Sequence, residues 1–295
     1  MGNSKSEREG GTRVVFNFDR VTIWVDHEEL PVLWHSLECD GATVNVHPHP
    51  MPFNPRWKLR IEILQPSIRC LRRIQKALGA QVSALVSYVE IAVDVKLAER
   101  SAARRLRDAF LGAAKVRSQR ATVKRFRRTW YFGHRAKDGA GKTPNVVAVY
   151  ADKPSKLHDA RGPSDHAGCF HLEWRASGQK NLAGKGIGAL ADLIDFDHKL
   201  FWDTHIRLFR LPKKKFLGQR LRGLKGSSDE VSDSALRKRA NDWIGGYLVP
   251  VDKAGARAVF AMHNALVETP QLEKALERVP FEVWLTEEMR RCETP

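Results

Sequence analysis

Residues 84–95 read ALVSYVEIAVDV, a run of β-branched and apolar residues that alternates like a strand. Successive strand residues face opposite ways, so Ile91, Val93 and Val95 share one face and Tyr88, Glu90, Ala92 and Asp94 the other. After it comes AERSAARRLRDAFLG, helical and closing at Gly112. Before it stand a strand, WKLRIEIL (57–64), and the amphipathic SIRCLRRIQKALG. In the latter Ile68, Leu71, Ile74, Ala77 and Leu78 take helical spacing up to Gly79. The two βα units resemble each other, Ile61-Glu62-Ile63 against Val89-Glu90-Ile91 and RRIQKALG against RRLRDAFLG. The expected fold is α+β, an antiparallel or mixed sheet backed by helices in ferredoxin-like style, with a smaller C-terminal α-helical domain.

Working outward, RVVFNFDRVTIWV and ATVNV supply β-like runs within 13–46, and the prolines of HPHPMPFNP make a connector. Further strands are expected in ATVKRFRRTWYFG (121–133), NVVAVYAD (145–152) and GCFHLEWRASG (168–178). Helical character follows over 181–202. Residues 1–12 read as a disordered tail, 13–202 as the helix-backed sheet domain, 203–230 as a basic linker or arm, and 231–295 as the helical C-terminal domain.

The 295 residues carry 50 Lys and Arg against 34 Asp and Glu, a net charge of +16. A 42% hydrophobic share puts that charge on a folded body. Such a balance favours a polyanionic partner, nucleic acid first and acidic membrane second. No apolar run of ~18 residues occurs, so a membrane span is not expected, nor does the N-terminus show a secretory h-region. Cys39, Cys70, Cys169 and Cys292 form no C-x-x-C pair, which fits a reducing cytoplasm and argues against zinc or a disulfide framework. The loop KDGAGKTP lacks both the first glycine and the following helix of a P-loop, so nucleotide binding is rejected.

Alternation places His171, Glu173 and Arg175 opposite Phe170, Leu172 and Trp174, and groups Tyr150 with Val146 and Ala148. If these strands are neighbours of 84–95, Glu90, Asp94, His171 and Glu173 assemble beside the Tyr150 hydroxyl. Carboxylates with an imidazole suit Mg²⁺ or Mn²⁺. Such a site lets Tyr150 attack a phosphodiester while Lys153 or Arg175 neutralises the phosphate. The bland alternative is a wet sheet face with salt-bridged polar residues. His47 and His49 sit in the proline run, which argues against metal ligation there.

A second clue is basic. Lys124, Arg125, Arg127, Arg128 and Arg135 interleave with Phe126, Trp130, Tyr131 and Phe132 in an acid-free stretch. Phe126 and Trp130 share parity with Lys124 and Arg128, as one mixed cation–aromatic face would require. Cations neutralise phosphates and exposed rings stack on unpaired bases; the alternative puts the rings in the core and the cations on a solvated edge. Lys213, Lys214 and Lys215, in the acid-free stretch 204–228, add a second basic surface.

The order YVEIAVDV, basic helix, TWYFGHR, NVVAVYADKPSK, CFHLEWRASG resembles the replication-initiation-factor family. These are the Rep trans-type rolling-circle initiators of plasmids, integrative elements and filamentous phages. The resemblance covers about 57–180 and rests on Tyr131-Phe132-Gly133-His134-Arg135, on Tyr150-Ala151-Asp152-Lys153 and on Glu173 with Arg175. Ala148 departs from the family's usual arginine, and Ala151 separates the tyrosine from its acid. The resemblance implies an origin-specific DNA nickase and strand transferase. Its tyrosine, here Tyr150, forms a 5′-phosphotyrosyl link and frees a 3′-OH primer. A divalent cation on Asp94 and Glu173, with Glu90 and His171 as further candidates, assists it. Origin DNA, partly single-stranded, is the implied partner; a host helicase and a second copy of the chain are further candidates. No membrane partner is expected.

Overall fold

The structure, a computed structural model, describes residues 13–30, 33–48, 50–52, 54–80, 82–117, 119–133, 144–151, 168–210, 250–252, 259–268 and 270–293. The expected tail 1–12, most of the basic arm and the region 231–249 lie outside them, as do Arg135, Lys153, Lys213, Lys214 and Lys215.

Strands β1 (Arg13–Val25), β2 (Thr43–His47) and β3 (Leu59–Leu64) precede helix α1 (Ile68–Leu78). Ser67 caps α1 by accepting the Cys70 N–H at 2.9 Å, and Gly79 ends it at φ +71°. Its buried stripe is Cys70, Leu71, Ile74 and Leu78; Ile68, expected on that stripe, is half exposed in the first turn. Strand β4 (Ala84–Lys96) follows, then α2 (Arg100–Ala113) and the short β5 (Ala114–Val116). Next come β6 (Val123–Phe126), β7 (Thr129–Phe132), β8 (Asn145–Ala151) and β9 (Cys169–Ser177).

The eight-stranded sheet has the order β2-β3-β1-β4-β9-β8-β7-β6, and each pairing with a described register is antiparallel. Because β1 pairs antiparallel with both β3 and β4, those two run parallel on either side of it and α1 joins them. This is the split βαβ of ferredoxin-like folds. The second βα unit departs from the first, since α2 leads into β5. That strand enters a separate three-stranded sheet, β11-β10-β5, with β10 (Ile206–Arg210) and β11 (Glu277–Val279).

The chain divides into two units, residues 1–105 with 150–196 and 289–295, and residues 106–149 with 197–288; β8 passes from one to the other. The boundaries expected at 202 and 231 both fall inside the second unit. The described C-terminal residues include two helices, Met262–Glu268 and Phe281–Glu293, with a 3-10 turn, Pro270–Ala275, and one short strand between them. None of the described helices is long and apolar enough to cross a membrane.

Candidate metal centre

The site is built on β1, β4, β9 and the end of β8, all in the first unit. Across β4 and β9 the register sets Glu90 opposite Arg175, Ala92 opposite Glu173 and Asp94 opposite His171. Gly168 helps fix that register. A Cβ there would collide with the Leu97 carbonyl oxygen, so only glycine lets the start of β9 lie against the end of β4. The polar face of β4 is buried: residues 89–95 of this strand, central in the sheet, are all enclosed. Glu90, Asp94, His171 and Glu173 are each at most 6% exposed.

Asp19 joins them through a break in the ladder. Phe18 pairs with Ile91 and Arg20 with the next residue, Glu90, so Asp19 is an extra residue in a β-bulge. A bulge re-aims the side chain it inserts. Carboxylate oxygens of Asp19, Glu90 and Glu173 lie within 4.8 Å of one another, all three residues buried, and could hold a metal ion. Unit charges that close repel by roughly 3–4 kcal/mol at an effective dielectric near 20. Protein groups offset part of this. Arg175 reaches Glu173 Oε2 through Nη2 at 2.6 Å and Nε at 3.1 Å, and lies 3.6 Å from Glu90. The Tyr88 hydroxyl donates to Glu90 Oε1 at 2.5 Å. An all-oxygen, anionic donor set fits a hard divalent cation such as Mg²⁺ or Mn²⁺.

Tyr150 stands at the same place. Its hydroxyl donates to Glu173 Oε1, and its ring stacks on His171 with centroids 4.6 Å apart. Burial, then the charges of Glu173, Asp19 and Asp94, hold the phenol well above its ordinary pKa. Burial and the Glu90 charge do the same to Tyr88. The Arg175 guanidinium is held more firmly protonated by Glu173 and Glu90, against the opposing effect of its burial.

No family model matches this sequence, and no curated protein matches it either.

The geometry therefore carries the assignment. Of the four expected ligands, Glu90 and Glu173 enter the cluster. Asp94 and His171 engage each other instead, His171 Nδ1 donating to Asp94 Oδ1 at 2.5 Å. The reason is spacing along the strand: Asp94 lies four residues from Glu90, about 13 Å at ~3.3 Å per residue. Asp19 was not expected, although a signal exists. In β1 the apolar residues fall at even positions through Val14, Phe16 and Phe18, then at odd positions through Val21, Ile23 and Val25. A switch of parity inside one strand marks an inserted residue.

The basic surface is also rearranged. The run 121–133, expected as one strand, is a hairpin whose loop is Arg127-Arg128. A two-residue loop reverses parity, so Phe126 faces with Lys124, Thr129 and Tyr131, while Trp130 pairs with Arg125 on the face of Val123 and Phe132. Trp130 is 2% exposed beneath the guanidinium of Arg107 and cannot meet a base. Lys124, Arg125, Phe126, Arg127 and Arg128 are exposed.

Proposed function

We propose that this protein is a metal-dependent DNA nickase and strand transferase that initiates replication of a mobile element, with Tyr150 as nucleophile. The observation that carries the reading is the Tyr150 hydroxyl bonded to one carboxylate of a buried three-carboxylate cluster. The order of motifs resembling the replication-initiation-factor family supports it. So does the basic hairpin, which suits a polyanionic substrate.

Asp19, Glu90 and Glu173 would hold Mg²⁺ or Mn²⁺, which supplies charge to polarise a phosphodiester and to lower the cost of a phenolate. Tyr150 passes its proton to Glu173, its hydrogen-bond acceptor, and the phenolate oxygen attacks phosphorus. The bond from phosphorus to the 3′ oxygen breaks, that oxygen takes a proton from water, and a 5′-phosphotyrosyl link remains. Arg175 offsets charge on Glu173 and Glu90 through the step. Asp94 and His171 position Tyr150, through the stack against its ring. Origin DNA is the partner in this reading, with a helicase or a second copy as candidates for the C-terminal part. Four cysteines with no C-x-x-C pair among them accord with a reducing cytoplasm.

A second reading draws on the burial of Tyr150, 2% exposed. In it a water is the nucleophile and Tyr150 only orients Glu173. The test is a pool of single-stranded DNA of randomised sequence, labelled at the 3′ end and incubated with Mn²⁺ or Mg²⁺. The nickase gives an SDS-stable labelled protein that EDTA, Asp19→Asn and Tyr150→Phe each abolish. Cleavage without adduct, equal in Tyr150→Phe, selects the water mechanism. Binding with no cleavage under any condition sinks both.

A further inference from the structure

A two-residue hairpin loop needs positive φ at its first position, the natural place for glycine. In the β6–β7 hairpin that place is held by Arg127 at φ +56°. A side chain forced into that region is strained, and strain of this kind collects where function requires it. What it gains here is a cation at the tip. Lys124, Arg125, Arg127 and Arg128 are all exposed, and Phe126 among them is 45% exposed. The Arg127 guanidinium lies 5.4 Å from the Phe126 ring.

The root of the hairpin is anchored. The Val123 N–H donates to Asn264 Oδ1 at 2.7 Å, and Phe132 packs edge-on against His263 and Phe110. Trp130 is buried at the root with Arg107 and Arg125 over its ring at 4.1 and 5.1 Å. A fixed base thus carries an exposed aromatic ring surrounded by cations.

We propose that this tip is a contact for single-stranded DNA, in which Phe126 stacks on an unpaired base while Lys124, Arg127 and Arg128 neutralise the flanking phosphates. The choice of DNA rests on the function proposed above; the stacking itself does not require nicking. A duplex hides the faces of its bases, so a protruding ring suits an unpaired strand. One ring with several cations buries little apolar area in a bilayer, whereas one base face covers it.

The experiment uses the full chain with Tyr150→Phe, in EDTA, so that cleavage plays no part. Binding to oligo-dT carrying a single 2-aminopurine is followed by anisotropy and base fluorescence, beside a duplex of equal length. Phe126→Ala should weaken single-strand binding about ten-fold or more and duplex binding less than two-fold, with Phe126→Trp close to the parent. Arg127→Gly should raise the melting temperature while flattening the log K versus log salt slope by about one. Phe126→Ala within two-fold of the parent on the single strand overturns the proposal, as does an equal loss on duplex. So does a Phe126→Ala loss confined to vesicles of 30% phosphatidylserine. A parent that binds but forms no adduct with metal sinks the nickase and leaves this contact standing.

Discussion

Replacing Asp19 by Asn keeps the shape of the bulge residue and removes one of three charges whose oxygens lie within 4.8 Å. At that distance each pair repels by roughly 3–4 kcal/mol at an effective dielectric of ~20, before Arg175 and the tyrosine hydroxyls offset it. The metal-free variant should therefore be no less stable than the parent. With cation the order reverses. At a free concentration 100-fold above Kd, binding stabilises the parent by about 2.7 kcal/mol. For a cooperative unit of ~150 residues that raises Tm by about 5–10 °C. Asp19→Asn, left with two anionic ligands, should shift by less than ~2 °C. Differential scanning fluorimetry in EDTA and in increasing Mn²⁺ reads both signs. Glu62→Gln serves as control, since Glu62 is a carboxylate paired with Arg20 outside the cluster. An equal Mn²⁺ shift in Asp19→Asn and parent, or none in the parent, refutes the centre.

Asp94→Ala removes the acceptor of a buried imidazole N–H, costing about 1–3 kcal/mol in urea unfolding, yet should leave the Mn²⁺ shift intact; loss of the shift would restore Asp94 as a ligand. Arg175→Ala removes the cation that offsets Glu173 and Glu90, so the metal-free Tm should fall and the Mn²⁺ shift grow, and a smaller shift would contradict the electrostatic account. Acid should weaken the second unit through His198 and His263, both of which burial lowers to about 4. His263 Nδ1 accepts from the Val116 N–H and Nε2 donates to the Ala121 carbonyl, a pattern that requires the neutral ring. Unfolded rings take up protons near 6.5, so this stability is complete above that pH and lost as pH falls toward 4, by up to roughly 3 kcal/mol per ring. Urea titrations from pH 7 to 4 should show the decline, flatter in His263→Gln; a flat parent profile would exclude it.

What could be read from sequence was whatever local periodicity controls. Strands β4 and β9 were legible because alternation over seven or more residues sorts faces without knowledge of neighbours, and Tyr150, Glu90, Glu173 and Arg175 came from it. Helix α1 was legible through the spacing of its apolar residues and through Gly79. Register was not, and register sets His171 against Asp94, which spacing along β4 already keeps from Glu90. The hairpin at 127–128 was hidden because Arg-Arg carries none of the usual turn residues, so the run read as one strand with Trp130 on the wrong face. The central place of β4 could not be read either, since it depends on β1, distant in sequence from β9, pairing along its other edge. Asp19 was written in the parity switch of β1, a signal that counts only once a bulge is admitted.

That bulge has a bearing on how such a chain varies over generations. Phe18 and Arg20 pair with consecutive residues of β4, so loss of the single codon for Asp19 would leave every β1–β4 pairing as it stands. The ladder would close over the gap while the cluster lost a carboxylate. A chain with three clustered carboxylates and a descendant with two thus lie one in-frame deletion apart, with the same β1–β4 ladder. Length differences of one residue at position 19 are accordingly the place where relatives of this chain would part in the charge of the cluster without parting in fold.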